Sequence, residues 1–223
     1  MCKFFSFVTD PINHQAEYYY FDWDYRKANL GDEGMDSHSH ICTHFNLNED
    51  ICNKYEFNPL TGEFEIDQIN SERDDSEAAK KWANRLDFKT VVEPLIVKPV
   101  VNPFKLTEVT EVTAEHIQWL HDIALVRDSI FDSIMTSIEN WAFASVMDSV
   151  WASVMDLVRA SVVDLAYVSV WAYASSFFAI EYQHDYSSAV KLWEAGLVLS
   201  FDGEVWRLHT GMDAHVVYEE SEK

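Results

Sequence analysis

Residues 129–176 read SIFD-SIMT-SIEN-WAFA-SVMD-SVWA-SVMD-LVRA-SVVD-LAYV-SVWA-YASS, twelve units of four. The second place of every unit is apolar: Ile130, Ile134, Ile138, Ala142, Val146, Val150, Val154, Val158, Val162, Ala166, Val170 and Ala174. Serine opens eight of the twelve. In a strand, side chains alternate between faces, so Ser would share a face with Met, and Val with Asp. Neither face would be cleanly apolar. On a helix, four residues advance about 400°, and the apolar stripe drifts about 40° per unit. Such a helix must be packed on several sides or broken into shorter ones, with a break expected near Glu139-Asn140. Ser145, Ser149 and Ser153, four apart, allow close approach along the i±4 ridges. Ser, Val and Trp are mediocre helix formers, which leaves a short β-solenoid as the alternative.

Outward from the repeat, Lys105 to Ala195 contains neither Gly nor Pro, so helix is expected well beyond the tetrads, with Thr113 as an N-cap. Tyr186–Ala195 reads as a short helix stopped by Gly196. Leu197–Phe201 and Val205–His209 form a hairpin across Asp202-Gly203, and Ala214–Tyr218 supplies a third strand. Toward the N-terminus, Lys3–Val8 and Glu17–Asp22 are aromatic-rich β-type runs around a turn at 9–13. Tyr55–Phe57 and Glu63–Ile66 make a second hairpin through NPLTG. DDSEAAKKWANRL, residues 74–86, opens with acids and ends with a base, as a helix dipole favours. Pro94, Pro99 and Pro103 punctuate an extended stretch, Val91–Phe104, expected as an edge strand or packed linker.

The expected fold class is therefore α+β: N-terminal β-hairpins with short helices, a central helical tetrapeptide-repeat segment, and a small C-terminal helix plus hairpin. The segments are 1–104, 105–182 and 183–223.

The 223 residues carry 38 Asp and Glu against 16 Lys and Arg, a net charge of −22. With 48% hydrophobic and 14% aromatic residues, this is no disordered acidic tail. Direct nucleic-acid binding, which needs a basic footprint, is not expected. The acids are sparse in the repeat and dense in its flanks. Three cysteines, Cys2, Cys42 and Cys52, are too few for a disulfide framework. MCKFFSFVTD lacks a basic leader before a long apolar core, and no run reaches the ~20 apolar residues of a bilayer span. An intracellular setting away from the membrane is expected.

The opening MCKFFSFVTD, DSHSHIC (36–42), ICNKYEFNPLTGEFEIDQIN (51–70), the SVMDSVWASVMD tetrads (145–156) and KLWEAGLVLSFDGEVWRLH (191–209) together resemble a group of phage-associated proteins. In these an MCKFF-type region precedes WDSV- or WASV-like tetrads. The resemblance spans nearly the whole chain. It implies a phage or prophage accessory context, hence a host-cytoplasm setting, and transfers no activity and no functional residue. Here Leu157, Leu165 and Tyr173 replace the opening Ser, and Ala166 and Ala174 replace Val. A packed segment fits these departures better than a freely extendable array.

Few constellations carry chemistry. Removal of Met1 would give Cys2 a free α-amine as base for its own thiol, the arrangement of an N-terminal-cysteine amidohydrolase. Lys3 follows it where such enzymes often have Gly or Thr. His40 and His44 share a helical face, and with Cys42 and Cys52 they offer zinc-type donors. Ser37 and Ser39 suit a helix N-terminus equally, and no Cys-x-x-Cys pair is present. Five-residue spacing puts His116 and His121, with Asp122 beside it, on different helical faces. Six glycines form neither a phosphate loop nor a dinucleotide fingerprint, and no GxSxG elbow occurs. No cofactor is implied.

The leading expectation is a non-enzymatic accessory protein that self-associates through Val146, Val150, Trp151, Val154, Val158, Val162 and Trp171. Its acidic surfaces would face a partner such as a basic host protein. The alternatives are the Cys2 amidohydrolase and a small-ligand-sequestering protein.

Overall fold

The computed structural model describes residues 4–29, 36–139, 144–155, 157–158 and 166–221. The protein is α+β, with helices and two antiparallel sheets. It divides into two compact units, one ending at Val97 and one beginning at Lys98, with residues 144–149 grouped with the first. Within the second, residues 127–139 pack on 167–175, and 167–175 on the elements at 187–194 and 198–201.

In the first unit, β1 (Phe5–Asp10) lies between β2 (His14–Tyr19) and β3 (Asn53–Asn58), and β4 (Glu63–Gln68) forms the far edge. Both predicted hairpins form. Antiparallel pairing of β1 with β3, from Phe5↔Phe57 to Thr9↔Asn53, joins them into one sheet. Alternation sends Phe5, Phe7 and Tyr55 to one face, where the helix α3 (Ser76–Ala83) supplies Trp82. Its ring stacks on Tyr18 at 4.3 Å and meets Phe7 at 4.8 Å. Asp75, at the head of α3, fastens it to the sheet. One carboxylate oxygen accepts from Thr9 Oγ1 (3.2 Å), Asn53 Nδ2 (2.8 Å) and the Tyr55 hydroxyl (2.6 Å).

The opposite face carries Val8. The helices α1 (Trp23–Ala28), capped by Asp22, and α2 (His38–His44), capped by Ser37, supply its cover. Val8, Phe21, Ile41, Cys42 and Cys52 form one buried cluster. The run expected as strand through Asp22 ends at Tyr19, because Phe21 turns into this cluster and Asp22 starts α1.

In the second unit, Thr113 caps α4 (Ala114–Ala124) as expected, and the His116 side chain returns the bond to the Thr113 N–H. The repeat forms α5 (Arg127–Glu139), α6 (Ala144–Met155) and α7 (Tyr167–Ser175). It is helix broken into pieces, and α5 ends at Glu139. The solenoid alternative falls. Every second-place residue whose side chain is described is buried: Ile130, Ile134, Val150, Val154, Val158, Ala166, Val170 and Ala174. The wrapped stripe is resolved most fully in α7, where all residues from Ser169 to Ser175 are buried. A helix apolar all round needs partners all round, and α7 packs against α5, α8 (Ser187–Glu194) and β5 (Val198–Phe201).

β5, β6 (Val205–Thr210) and β7 (His215–Ser221) make the second sheet in sequence order, including the predicted third strand. The edge of β5 is covered. Ser169, which opens a repeat unit, accepts from Leu199 N–H (3.1 Å) and donates to Leu199 C=O (2.9 Å). Gly196 ends α8 with φ +85, a left-handed turn in which Leu197 N–H reaches Leu192 C=O at 2.9 Å. The proline-rich stretch is a packed linker rather than an edge strand. Val101 donates its N–H to the Tyr173 hydroxyl (3.0 Å) and accepts from Trp193 Nε1 (2.8 Å).

Candidate functional site

The residues singled out in the sequence do not converge. Cys2 lies outside the described residues. His40 and His44 do share one face of α2, but that face meets aromatic rings. His40 packs on Phe21 at 5.2 Å with the Tyr25 hydroxyl 3.5 Å from its Nε2, and His44 lies 4.6 Å from the Tyr25 ring. Cys42 and Cys52 face the core instead. Among the described residues no group of three or more His, Cys, Asp or Glu is placed to hold a metal ion. His116 is spent on the α4 cap, His121 bonds Glu220 at 2.8 Å, and Asp122 accepts from Gln118 and Ser188. The acid–base grouping is not assembled.

The residues expected to mediate self-association are largely internal. Val150, Val154, Val158 and Trp171 are buried by the chain's own packing, and half-buried Trp151 sets its ring 5.9 Å from that of Trp171. The side chains of Val146 and Val162 lie outside the description. No helix among the described residues is long and apolar enough to cross a membrane.

One pair was missed. Ser200 on β5 and His209 on β6 lie diagonally across the hairpin, with Ser200 opposite Arg207 and His209 opposite Val198. The Ser200 hydroxyl is 2.7 Å from His209 Nε2, and Nδ1 is 2.9 Å from the Ala214 carbonyl. The carbonyl can only accept, so Nδ1 carries the proton and Nε2 accepts from Ser200. This is the polarity of a nucleophile–base pair. Yet the two residues are 1% and 5% exposed, so no substrate carbonyl can reach the hydroxyl. The pair is a cross-strand tie.

Burial holds the His209 pKa below the usual histidine range, against the pull of the Ala214 carbonyl. Between that lowered value and about 6.5, the unfolded chain binds the proton that the folded chain refuses, so stability rises with pH. Urea unfolding at pH 7, 6 and 5 is expected to show the second unit weakening on acidification, and His209→Gln should flatten that slope. Exposed His215, raised by Asp213, acts in the opposite sense. An unchanged slope in the variant would refute the assignment.

The exposed functional candidate is the β3–β4 hairpin. Register sets Glu56 directly opposite Glu65, and Asn58 opposite Glu63. Like charges facing across strands are destabilising. The three glutamates, with Phe57, Phe64 and Lys80, line an open hollow of about 490 Å³. β4 is a sheet edge, and Glu63, Glu65, Ile66, Asp67 and Gln68 are exposed along it. An edge strand presents a row of backbone donors and acceptors to a further strand. A second open hollow, about 450 Å³, lies beside Phe178, Ile180, Tyr182 and Tyr186 in the other unit.

No family model, curated protein or solved structure matches the chain. The reading therefore rests on the residues themselves.

Proposed function

We propose that this chain is a non-enzymatic interaction protein, of phage-accessory type, whose acidic β3–β4 hairpin takes a basic, extended segment of a partner protein. The observation that carries this is the glutamate pairing at an exposed edge. Glu56 and Glu65 face each other, Glu63 lies on the same side, and the strand that bears two of them ends the sheet. An opposite-charge pair in this register would contribute up to about 1 kcal/mol, and the hairpin carries two acids there instead. A basic strand added to β4 would pair with its exposed backbone and set cations beside Glu63 and Glu65, the recognition mode of β-augmentation. Self-association through the tetrads is not part of this proposal, because every second-place tetrad residue whose side chain is described is buried within the chain.

Anisotropy titration with a labelled ten-residue peptide of alternating Lys and Val tests it. Binding is expected to weaken at least tenfold from 50 to 300 mM salt and about tenfold in Glu63→Lys/Glu65→Lys. Glu111→Lys/Glu204→Lys, the same charge change at exposed positions in the other unit, should retain most of the affinity. Equal losses in the two double variants would reduce the effect to net charge and refute the hairpin site.

A further inference from the structure

The acidic hairpin has a second face. Register sets Phe64 opposite Phe57 and Ile66 opposite Tyr55, so their side chains leave β4 on the side away from Glu63 and Glu65. That is the side of Phe7: the Phe64 ring lies 5.4 Å from Tyr55 and 6.5 Å from Phe7. Phe64 is half-buried there, and Ile66 is 47% exposed. From Glu63 to Ile66 the strand therefore alternates acid with apolar residue, one kind on each face. The length of this edge is also fixed. It begins after the turn at 58–62, where Gly62 takes φ +74. It ends at Asp67, the extra residue where the β3–β4 register shifts between Tyr55↔Ile66 and Lys54↔Gln68. A bulge of this kind bends the strand and breaks the regular ladder. Buried His38 of α2 holds it, with Nε2 donating to the Tyr55 carbonyl at 3.1 Å and Nδ1 lying 3.3 Å from the Asp67 carboxylate. Among the described residues no strand pairs with the outer side of β4.

Given the acidic-hairpin reading, on which this rests, we infer that the partner segment is a two-faced strand of four residues, basic and apolar in alternation, paired along Glu63–Ile66. Residues that face each other across two strands share a side of the sheet. The cations of such a segment lie beside Glu63 and Glu65, and its apolar side chains cover Phe64 and Ile66. A uniformly basic segment would answer the acids and leave Ile66 in water. A uniformly apolar one would gain nothing from the two glutamates. Charge draws the segment to the edge, and the order of its residues selects it. The turn on one side and the bulge on the other keep the pairing from sliding along β4, since a slip of one residue would exchange the two faces.

The test uses the full chain and competition against the labelled Lys-Val peptide. Two unlabelled competitors, flanked by Gly and Ser to the same length, carry Lys-Val-Lys-Val or Lys-Lys-Val-Val at their centres and have the same charge. The alternating competitor is expected to displace the label about fivefold more effectively, the worth of one partly covered aliphatic side chain. Equal displacement by the two would overturn the two-faced strand while leaving the acidic hairpin standing. No binding of the labelled peptide at all would remove both. On the protein side, Ile66→Thr keeps a β-branched residue and every charge. It should weaken the labelled peptide about three- to fivefold and leave its salt dependence unchanged. Ile12→Thr, at an isoleucine 49% exposed in the turn between β1 and β2, should leave binding as it is. A loss in Ile66→Thr no larger than in Ile12→Thr would refute the apolar face. The competitor comparison is made on the wild-type chain and stands even where a variant fails to fold.

Discussion

Trp193→Ala is expected to lower the stability of the second unit by about 3–5 kcal/mol. Trp193 is fully buried, and its ring stacks on Tyr173 with centroids 4.8 Å apart and planes 12° from parallel. Its Nε1–H donates to Val101 C=O, while the Tyr173 hydroxyl accepts from Val101 N–H. One residue of the linker is thus held at both backbone groups by two stacked rings. Truncation removes a large packed volume, leaves the half-buried Val101 carbonyl without this donor and takes the stacking surface from Tyr173. Trp193→Phe separates these terms. It keeps most of the apolar contact and loses the donor, so it should cost about 1–3 kcal/mol. Urea unfolding of the three proteins, followed by far-ultraviolet circular dichroism, checks both values. An alanine variant within about 1 kcal/mol of wild type would mean that the linker is held by something else.

The same contact explains why some of the fold was legible and some was not. The tetrad period could be read because it is a local constraint. Val150, Val154, Val170 and Ala174 are internal for the reason given by 400° per unit: a drifting stripe needs cover on several sides. The hairpins at 55–66 and 197–209 were legible from turn chemistry. The sequence offered no way to know that Trp193 reaches back to Val101, so the stretch 91–104 stood between edge strand and linker. The placement of β1 between β2 and β3 was equally hidden, since it depends on pairing Phe5 with Phe57 across the chain.

The Ser200–His209 tie is a different case. Both residues lay on a hairpin that was predicted, and its turn at Asp202-Gly203 fixes which side chains are diagonal neighbours. Following the register outward would have found the pair. The wrapped stripe is different again: where it runs through α7, α5, α8 and β5 supply its cover within the chain. The zinc-type grouping failed on direction, because the His40 and His44 side of α2 meets Phe21 and Tyr25 while Cys42 points to the core.

Arg26→Ala is expected to be as damaging to the first unit as Trp193→Ala is to the second. Arg26 is 1% exposed. Its Nε donates to the Phe21 carbonyl at 3.1 Å, its Nη1 to Asp36 at 3.2 Å, and its Nη2 forms a short contact with the other Asp36 oxygen. Asp36 is itself mostly covered, with a side chain 12% exposed. Removing the guanidinium leaves a carboxylate and a carbonyl that water reaches poorly, a loss of about 3–5 kcal/mol. Arg26→Lys should recover only part of this, because an ammonium cannot serve three acceptors in one plane. The double variant Arg26→Met/Asp36→Leu removes both charges together, and a buried pair replaced by apolar groups is often neutral. It should return to within about 1 kcal/mol of wild type. The Phe21 carbonyl, however, loses its donor in Arg26→Ala and in the double variant. Phe21 packs in the cluster that encloses Cys42 and Cys52, so the double variant is expected to regain stability while its two thiols react faster with a disulfide reagent than those of the wild type. Unchanged labelling in that variant would show that Arg26 acts only through its charge partner. Faster labelling at restored stability would identify the Arg26–Phe21 bond as what keeps Cys42 and Cys52 closed to solvent.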